Sequence, residues 1–276
     1  MDQIVSQDWL KTRLDDPSMI IADCRFNLAE PSEGKRLYLE SHIPGAVYFD
    51  LEKDLSSPVA EHGGRHPLPD AKTFASKLSE AGIDHTKTVI AYDDQKGSMA
   101  ARLWWLLRYF GHQSVAVLDE GFSAWKEKGF PTTAVLPKRS TAQFVPNVQH
   151  DWVVPMAGVK QLSKGEPLID SRAPNRFRGE NESIDPKAGH IPGAENWFWE
   201  DNIENGRWKS PEQLRDRFEP LNHKSQVTVY CGSGVTACAN ILAMTRAGIK
   251  NVRLYPGSWS DWISYPDNPI ETGDEK

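Results

Sequence analysis

The chain contains a long internal repeat. The pentapeptide HIPGA occurs at residues 42–46 and again at residues 190–194. Upstream of each copy, a short apolar segment ends in Asp-x-Arg, at residues 23–25 and 170–172. Landmarks that recur in the same order mark a duplicated structural unit. The sequence therefore predicts two similar domains in tandem.

Each copy predicts the same alternation of strands and helices. A short strand is followed by the HIPGA turn, in which Pro and Gly favour a bend, and then by a polar helix, a β-branched strand, a loop and a second helix. We expect the helices at residues 70–81 and 99–109 in the first copy and at 211–218 and 237–247 in the second. Alternating strands and helices predict a mostly parallel sheet flanked by helices. The expected fold class is therefore α/β, with two tandem domains.

The repeat also suggests domain boundaries. We expect an N-terminal domain over residues 1–132 and a C-terminal domain over residues 151–276. The segment between them, 133–150, begins in a stretch rich in Pro, Thr and Lys and is predicted to be a linker.

The composition narrows the class of partner. The formal net charge is −6 and the pI is about 5.8, so nucleic acid and anionic membranes are not expected as partners.

The three cysteines, Cys24, Cys231 and Cys238, have no paired spacing, which argues against a disulfide scaffold. The first residues lack the basic and apolar regions of a secretory signal, and the apolar runs are too short to span a bilayer. We therefore expect a cytoplasmic protein.

The two copies differ in the loop that follows the β-branched strand. The second copy has CGSGVTA beginning at Cys231, whereas the first has DDQKGS beginning at Asp93. Open α/β sheets bind ligands at the carboxyl ends of their strands, and only the second loop offers a nucleophile there. Gly232 and Gly234 let the backbone curl, so that N–H groups and the next helix N-terminus can favour a thiolate. Cys231 is therefore the predicted catalytic residue, and the first domain is predicted to be inactive.

With these motifs, the chain resembles the two-domain rhodanese-type sulfurtransferases. The resemblance rests on the paired HIPGA motifs, on RFRG at residues 176–179 and on the loop at 231–237, and it covers nearly the whole chain. It implies two similar α/β domains and an activity that moves a sulfane sulfur from a donor onto the loop cysteine as a persulfide. It implies no cofactor and no metal. The implied partners are a small-molecule sulfur donor and an acceptor, either cyanide or a thiol such as thioredoxin or a small thiol. We expect a monomer.

The loop sequence distinguishes between two donors. Thiosulfate-type members of the family tend to carry CRKGVT, whose cations suit a dianion, whereas mercaptopyruvate-type members carry CGSGVT or a close variant. The chain has the second form, so the resemblance implies 3-mercaptopyruvate as the donor. Thiosulfate:cyanide transfer and a sulfur carrier without turnover are the alternatives. A phosphatase with a Cys-x5-Arg loop is disfavoured because Ala237 stands where that arginine would be.

The resemblance also assigns a proton relay. In mercaptopyruvate enzymes the loop serine can work with a histidine and a carboxylate from the first domain. The matching residues are Ser233, His66 and Glu52. Such a relay could protonate the departing enolate of pyruvate. The alternative for His66 is a residue of a surface loop.

The donor carboxylate requires a cation. Arg176 matches the family arginine that binds it, and a planar guanidinium suits a carboxylate. The family's second arginine falls at Ser183; Lys187 is the candidate replacement, and the alternative is that this second contact is absent. The resemblance implies that the remaining donor contacts come from the catalytic loop: Gly232, Gly234, Val235 and Thr236.

Residues that recur in both copies are expected to be structural. Asp170 and Arg172 recur as Asp23 and Arg25. Since the first copy lacks the nucleophile, both pairs are predicted to hold the end of a strand against neighbouring backbone.

Overall fold

The computed structural model describes residues 2–163 and 165–274 and divides into two compact units. The first comprises Met1–Ser57, Leu68–Gln149 and Asn205–Trp208. The second comprises Pro58–Pro67, His150–Glu204 and Lys209–Lys276.

The first unit contains a parallel sheet of five strands in the order β1-β5-β4-β2-β3. The adjacent strands β2 and β4 are largely buried and apolar. They pair from Met19 opposite Thr88 to Asp23 opposite Tyr92. The strands are β1 (Ile4–Val5), β2 (Met19–Asp23), β3 (Val47–Tyr48), β4 (Thr88–Tyr92) and β5 (Val115–Leu118). The helices of this unit are α1 (Gln7–Lys11), α2 (Glu33–Glu40), α3 (Ala71–Glu80), α4 (Ser98–Tyr109) and α5 (Gly121–Glu127).

The second unit repeats this plan with four parallel strands in the order β11-β10-β6-β7. Its sheet strands are β6 (Leu168–Asp170), β7 (Glu195–Asn196), β10 (Val227–Tyr230) and β11 (Val252–Leu254). Two short strands, β8 (Ile203–Glu204) and β9 (Arg207–Trp208), lie between β7 and β10 in the chain. The helices of the second unit are α6 (Met156–Val159), α7 (Pro174–Phe177), α8 (Pro211–Arg217), α9 (Ala237–Ala247) and α10 (Ser258–Trp262), with 3-10 turns at His150–Trp152, Trp199–Asn202 and Glu219–Leu221.

Local sequence signals explain the helix starts. Asp70 caps α3, since its side chain accepts from the N–H groups of Lys72 and Thr73. Ser210 forms a capping box with Gln213 at the start of α8, where Pro211 occupies the first turn. Such caps satisfy N–H groups that a helix leaves without partners. The predicted α/β class with parallel sheets is confirmed.

The repeated motifs perform the same structural task in both units. In the first, Arg25 pairs with Asp23 at 2.6 Å and donates to the Ser41 carbonyl at 2.7 Å. In the second, Arg172 pairs with Asp170 at 2.6 Å and donates to the Gly189 carbonyl at 2.7 Å. The predicted structural role of both pairs is confirmed.

A buried tyrosine connects each strand end to its HIPGA turn. The Tyr92 hydroxyl donates to Asp23 at 2.6 Å and accepts from the Ile43 N–H at 3.2 Å. The Tyr230 hydroxyl accepts from the Ile191 N–H at the same distance. Burial, followed by the charge of Asp170, raises the pKa of Tyr230 far above its ordinary value. The phenol therefore stays neutral and can both donate and accept.

The packing of two segments differs from the predicted boundaries. Residues 58–67 lie within the predicted N-terminal domain, 1–132, but pack with the second unit, while 205–208 pack with the first. The predicted linker, 133–150, belongs to the first unit through Gln149. There Phe144 is buried, and the Asn147 N–H donates to the Phe110 carbonyl at 2.9 Å.

No helix among the described residues is both long enough and apolar enough to cross a membrane.

Candidate active site

Cys231 lies directly after the buried strand β10 in the second unit. Its backbone is held against the start of α10. The Cys231 N–H donates to the Ser258 hydroxyl at 3.1 Å, and its carbonyl accepts from the Trp259 N–H at 3.0 Å. The residue is 1% exposed. The loop therefore holds the sulfur in a fixed, almost completely buried position.

A backbone N–H group of the same loop is directed at the sulfur. The Gly234 N–H donates to Cys231 Sγ at 3.2 Å. Gly234 adopts a φ of +78°, which only glycine takes readily, and a Cβ there would lie 2.3 Å from the Pro256 carbonyl oxygen. Gly232 does not need glycine for this reason, because its φ lies outside the left-handed region. A left-handed backbone therefore accounts for the predicted curl at Gly234, whereas the φ of Gly232 is one that other residues also adopt.

We expect Gly234→Ala to lower the free energy of unfolding by about 3 kcal/mol, through left-handed strain and a steric clash. The control is Gly248→Ala at the end of α9. Gly248 also has a positive φ, +89°, but among the described residues outside its own helix backbone and chain neighbours, no atom lies within 4 Å of the added methyl group. Gly248→Ala should therefore cost only the left-handed strain, about 1 kcal/mol. Urea unfolding of both variants measures the difference, and equal losses would contradict the close approach at Pro256.

The corresponding loop of the first unit contains its own anion. The Asp93 carboxylate accepts four backbone N–H groups at 2.8 Å, from Gln95, Gly97, Met99 and Ala100. Burial raises the pKa of Asp93 although these N–H groups oppose the shift. A strand-to-helix loop of this type therefore forms an anion cradle, and in the first unit a carboxylate fills it.

A histidine–serine pair includes Ser233, the loop residue two positions after Cys231. His66 Nδ1 lies 2.8 Å from the Ser233 hydroxyl, and both side chains are buried. The predicted contact between these two residues is therefore present. It lies within the second unit, because His66 belongs to segment 58–67.

Segment 58–67 is held by hydrogen bonds to α10 and the turn after it. The Gly63 N–H donates to Asp261 Oδ1 at 2.7 Å, and the Arg65 N–H donates to the Ser260 hydroxyl at 3.1 Å. His62 lies 2.8 Å from the Ser264 hydroxyl and stacks on Tyr265. These contacts bring Arg65 and His66 to the catalytic loop.

Arg176 is already engaged by carboxylates. Its Nε and Nη2 donate to Glu182 at 2.9 Å, and Nη2 also donates to Asp185 at 2.9 Å. Both carboxylates are almost completely buried. Arg65 Nη1 donates to the same Asp185. Asp185 therefore bridges two guanidinium groups.

Sequence reasoning missed Arg65. A Cβ at Gly232 would lie 3.1 Å from Arg65 Nη2, 3.5 Å from Arg176 Nη2 and 3.6 Å from Arg176 Nη1. The Cys231 loop therefore has cations beside it although it carries none of its own. Burial lowers the pKa of Arg65, and its proximity to Cys231 opposes that shift. The available signal was the adjacency of Arg65 to the predicted relay residue His66.

The other predicted site residues have different surroundings. Glu52 is exposed in the first unit, where its N–H donates to Asp50 Oδ1 at 3.0 Å. The Lys187 ammonium donates to the Ile263 carbonyl at 3.1 Å, so contact with a donor would require it to leave that partner. Val235 is buried in the loop, and Thr236 is the residue that precedes α9.

Among residues 2–163 and 165–274, no group of three or more His, Cys, Asp or Glu side chains is arranged to hold a metal ion.

Comparison with known proteins agrees with this geometry. A family profile described as "Rhodanese-like domain" matches residues 6–128 and 156–265. The chain is 44% identical to a probable 3-mercaptopyruvate sulfurtransferase of Pseudomonas aeruginosa, covering 99% of both chains. It is 36% identical to a putative thiosulfate sulfurtransferase of Mycobacterium tuberculosis, covering 94% of this chain and 92% of that one. The crystal structure of an Escherichia coli protein described among 3-mercaptopyruvate sulfotransferases is 32% identical, with a TM-score of 0.80, covering 94% of this chain and 100% of that one. The chain therefore belongs to the rhodanese family as a tandem-domain sulfurtransferase.

Proposed function

We propose that this sulfurtransferase uses 3-mercaptopyruvate as its donor and Cys231 as its sulfur carrier. One observation carries the proposal: the buried Cys231 Sγ receives a backbone N–H in a loop whose Ser233 pairs with His66. The N–H group directed at Sγ suits a thiolate or a persulfide anion. The Ser233–His66 pair suits a donor whose leaving group is a carbon that must gain a proton.

The chemistry proceeds in two steps. The Cys231 thiolate attacks the donor's thiol sulfur and forms an S–S bond while the donor's C–S bond breaks. The electron pair of that bond passes to the carbon fragment, the enolate of pyruvate, and one proton converts it to pyruvate. In the second step cyanide or an acceptor thiolate takes the outer sulfur, and the Cys231 thiolate returns.

Ser233 and His66 are the proposed proton source for the enolate. A hydroxyl that is hydrogen-bonded to an imidazole can pass on a proton and recover it from the ring. Burial of the pair keeps the relay away from bulk water. Glu52 as the third member of the relay remains a prediction from the family resemblance.

Arg176 is the proposed carboxylate contact of the donor. We expect Arg176→Ala to raise the KM for 3-mercaptopyruvate on the order of tenfold or more, since a charged hydrogen bond of about 1.5–3 kcal/mol is lost. Steady-state kinetics of sulfur transfer to cyanide measure the effect. The control is Arg178→Ala, because the Arg178 guanidinium pairs with Glu180 instead. An unchanged KM in Arg176→Ala would exclude the assigned role.

The donor itself is tested by comparing 3-mercaptopyruvate with thiosulfate, with cyanide as the common acceptor. We expect kcat/KM to be larger with 3-mercaptopyruvate. A larger kcat/KM with thiosulfate would refute the donor assignment and favour the second candidate, thiosulfate:cyanide transfer. That candidate is supported by the two guanidinium groups around Gly232, since thiosulfate is a dianion.

A sulfur carrier without turnover is the remaining alternative. It would gain the mass of one sulfur atom on Cys231 but would not produce pyruvate catalytically. We further propose a cytoplasmic location, a monomer, and a thiol acceptor such as thioredoxin or a small thiol. These are supported by the composition and by the family resemblance.

A further inference from the structure

We propose that Ser258 is a positioning residue, which holds the backbone of Cys231 in the geometry that sulfur transfer requires. The proposal rests on the proposed function, because it concerns the residue that carries the sulfur. Ser258 is the first residue of α10 and is completely buried. Its φ is +56°, in the left-handed region that residues other than glycine seldom adopt. A strained residue beside a reactive group indicates that its side chain is needed there.

The Ser258 hydroxyl forms a hydrogen bond in each direction. It accepts from the Cys231 N–H at 3.1 Å and donates to the Tyr255 carbonyl at 2.9 Å. The bond to Tyr255 fixes the hydroxyl proton, so that a lone pair is directed at the Cys231 N–H. Cys231 is 1% exposed, and a buried N–H group is costly to leave without an acceptor. Ser258 therefore satisfies a buried donor that belongs to the nucleophile itself.

The first unit has a glycine at the equivalent position. Gly121 is the first residue of α5 and has a φ of +77°. The next residue, Phe122, donates its N–H to the Asp93 carbonyl at 2.9 Å, just as the residue after Ser258 donates to the Cys231 carbonyl at 3.0 Å. Glycine takes a left-handed backbone without strain. The bond to the carbonyl is thus common to both units, whereas the hydroxyl and its strain occur beside the cysteine and not beside Asp93.

The position of the Cys231 peptide determines where its sulfur points. Cys231 follows the last residue of β10, and its Sγ accepts from the Gly234 N–H at 3.2 Å. Rotation of the peptide in search of another acceptor would turn the Cα–Cβ bond and move Sγ away from that N–H. An S–S bond forms at this sulfur in the first step and breaks there in the second, and both require close alignment of the reacting atoms. Ser258 therefore acts on both steps, through Cys231.

The test uses two variants, Ser258→Ala and Ser258→Gly. Both remove the hydroxyl, but only glycine also removes the left-handed strain. We expect kcat with 3-mercaptopyruvate and with thiosulfate to fall about 10–100-fold in both variants. The KM of each donor should stay within about twofold, because the proposed carboxylate contact is Arg176. Discharge of a preformed Cys231 persulfide to cyanide should slow by a similar factor.

Thermal unfolding separates positioning from support of the fold. Ser258→Gly should melt about 2–4 °C above Ser258→Ala, because only alanine keeps the strain. A serine that merely supports the fold would give activities that follow these melting temperatures, whereas a positioning serine gives equal losses of kcat at unequal stability. The control is Thr245→Ala, which removes a hydroxyl that donates to the Ile241 carbonyl at 2.7 Å within α9. Its kcat should equal that of the wild type.

The outcomes separate this proposal from the proposed function. Wild-type kcat in a folded Ser258→Gly variant overturns the role of Ser258, whichever donor the wild type prefers. A loss of kcat in Ser258→Ala alone, or a raised KM at unchanged kcat, overturns it as well. A larger wild-type kcat/KM with thiosulfate refutes the donor assignment but leaves the test of Ser258 intact, since both donors load the same sulfur atom. Full sulfur transfer in Cys231→Ser would refute the proposed function itself.

Discussion

Replacement of Cys231 by serine is expected to abolish sulfur transfer while the protein remains folded. A serine oxygen fits the same cradle and can accept from the Gly234 N–H, but it is not ionised at neutral pH and does not carry sulfane sulfur. Removal of a nucleophile of this kind lowers kcat by roughly 10⁶-fold, which is below detection in most assays. The measurements are thiocyanate production from each donor and the mass of the protein after donor treatment.

The control for this experiment is Cys24→Ala. Cys24 is a buried cysteine of the first unit, and desolvation there raises the pKa of its thiol well above the ordinary value. It therefore stays protonated and unreactive, and its variant should retain both activity and the added sulfur. Full activity in Cys231→Ser, or loss of the sulfur adduct in Cys24→Ala, would place the carrier elsewhere.

The fold was predictable because the two copies of the repeat share not only a sequence motif but also the hydrogen bonds that this motif forms. Asp-x-Arg, HIPGA and the tyrosine at the strand end form one hydrogen-bonded unit, and this unit is built identically twice. The local part of the Cys231 environment was predictable for a related reason. It consists of residues adjacent in sequence, namely the end of β10, Gly234 and the start of α9.

The residues around Cys231 that come from other parts of the chain were harder to predict because they depend on tertiary contacts. Segment 58–67 shows neither strand nor helix periodicity, and it is positioned by hydrogen bonds to residues about two hundred positions later, such as Asp261 and Ser260. The family resemblance predicted His66, but nothing local in the sequence indicated that Arg65 lies over Gly232.

The comparison of the two loops connects fold and chemistry. Both units build a strand-to-helix loop with inward N–H groups. In the first, the Asp93 carboxylate accepts the N–H groups of Gln95, Gly97, Met99 and Ala100, so a side chain of the loop itself fills the cradle. In the second, a cysteine with a shorter reach accepts the Gly234 N–H, and the loop can stabilise an anion that appears on the sulfur during turnover. We propose that the absence of such a built-in carboxylate is what lets the second loop act on an anion at Cys231.

Replacement of His66 by alanine is expected to slow transfer from 3-mercaptopyruvate by about 10²–10⁴-fold in kcat, the usual contribution of a positioned acid or base. The Ser233 hydroxyl would lose its partner at 2.8 Å, and the departing enolate would have to wait for a proton from water. Binding of the donor should change little, because the proposed contact of its carboxylate is Arg176 and not His66. Discharge of a preformed Cys231 persulfide to cyanide needs no proton for a carbon leaving group and should stay within about twofold of the wild-type rate.

The decisive readout is whether His66→Ala slows only the step in which sulfur leaves 3-mercaptopyruvate. Transfer from thiosulfate releases sulfite, a stable anion that departs without a proton. Loss of a proton relay should therefore slow this transfer little, whereas loss of a residue that supports the loop should slow transfer from both donors. The matched control is His62→Ala on the same segment, since His62 contacts Ser264 and Tyr265 rather than the catalytic loop. If His66→Ala slows both donors and the discharge step equally, then His66 holds segment 58–67 in place and supplies no proton. If only the 3-mercaptopyruvate step slows, the buried His66–Ser233 pair is the proton source that adapts this loop to a carbon leaving group.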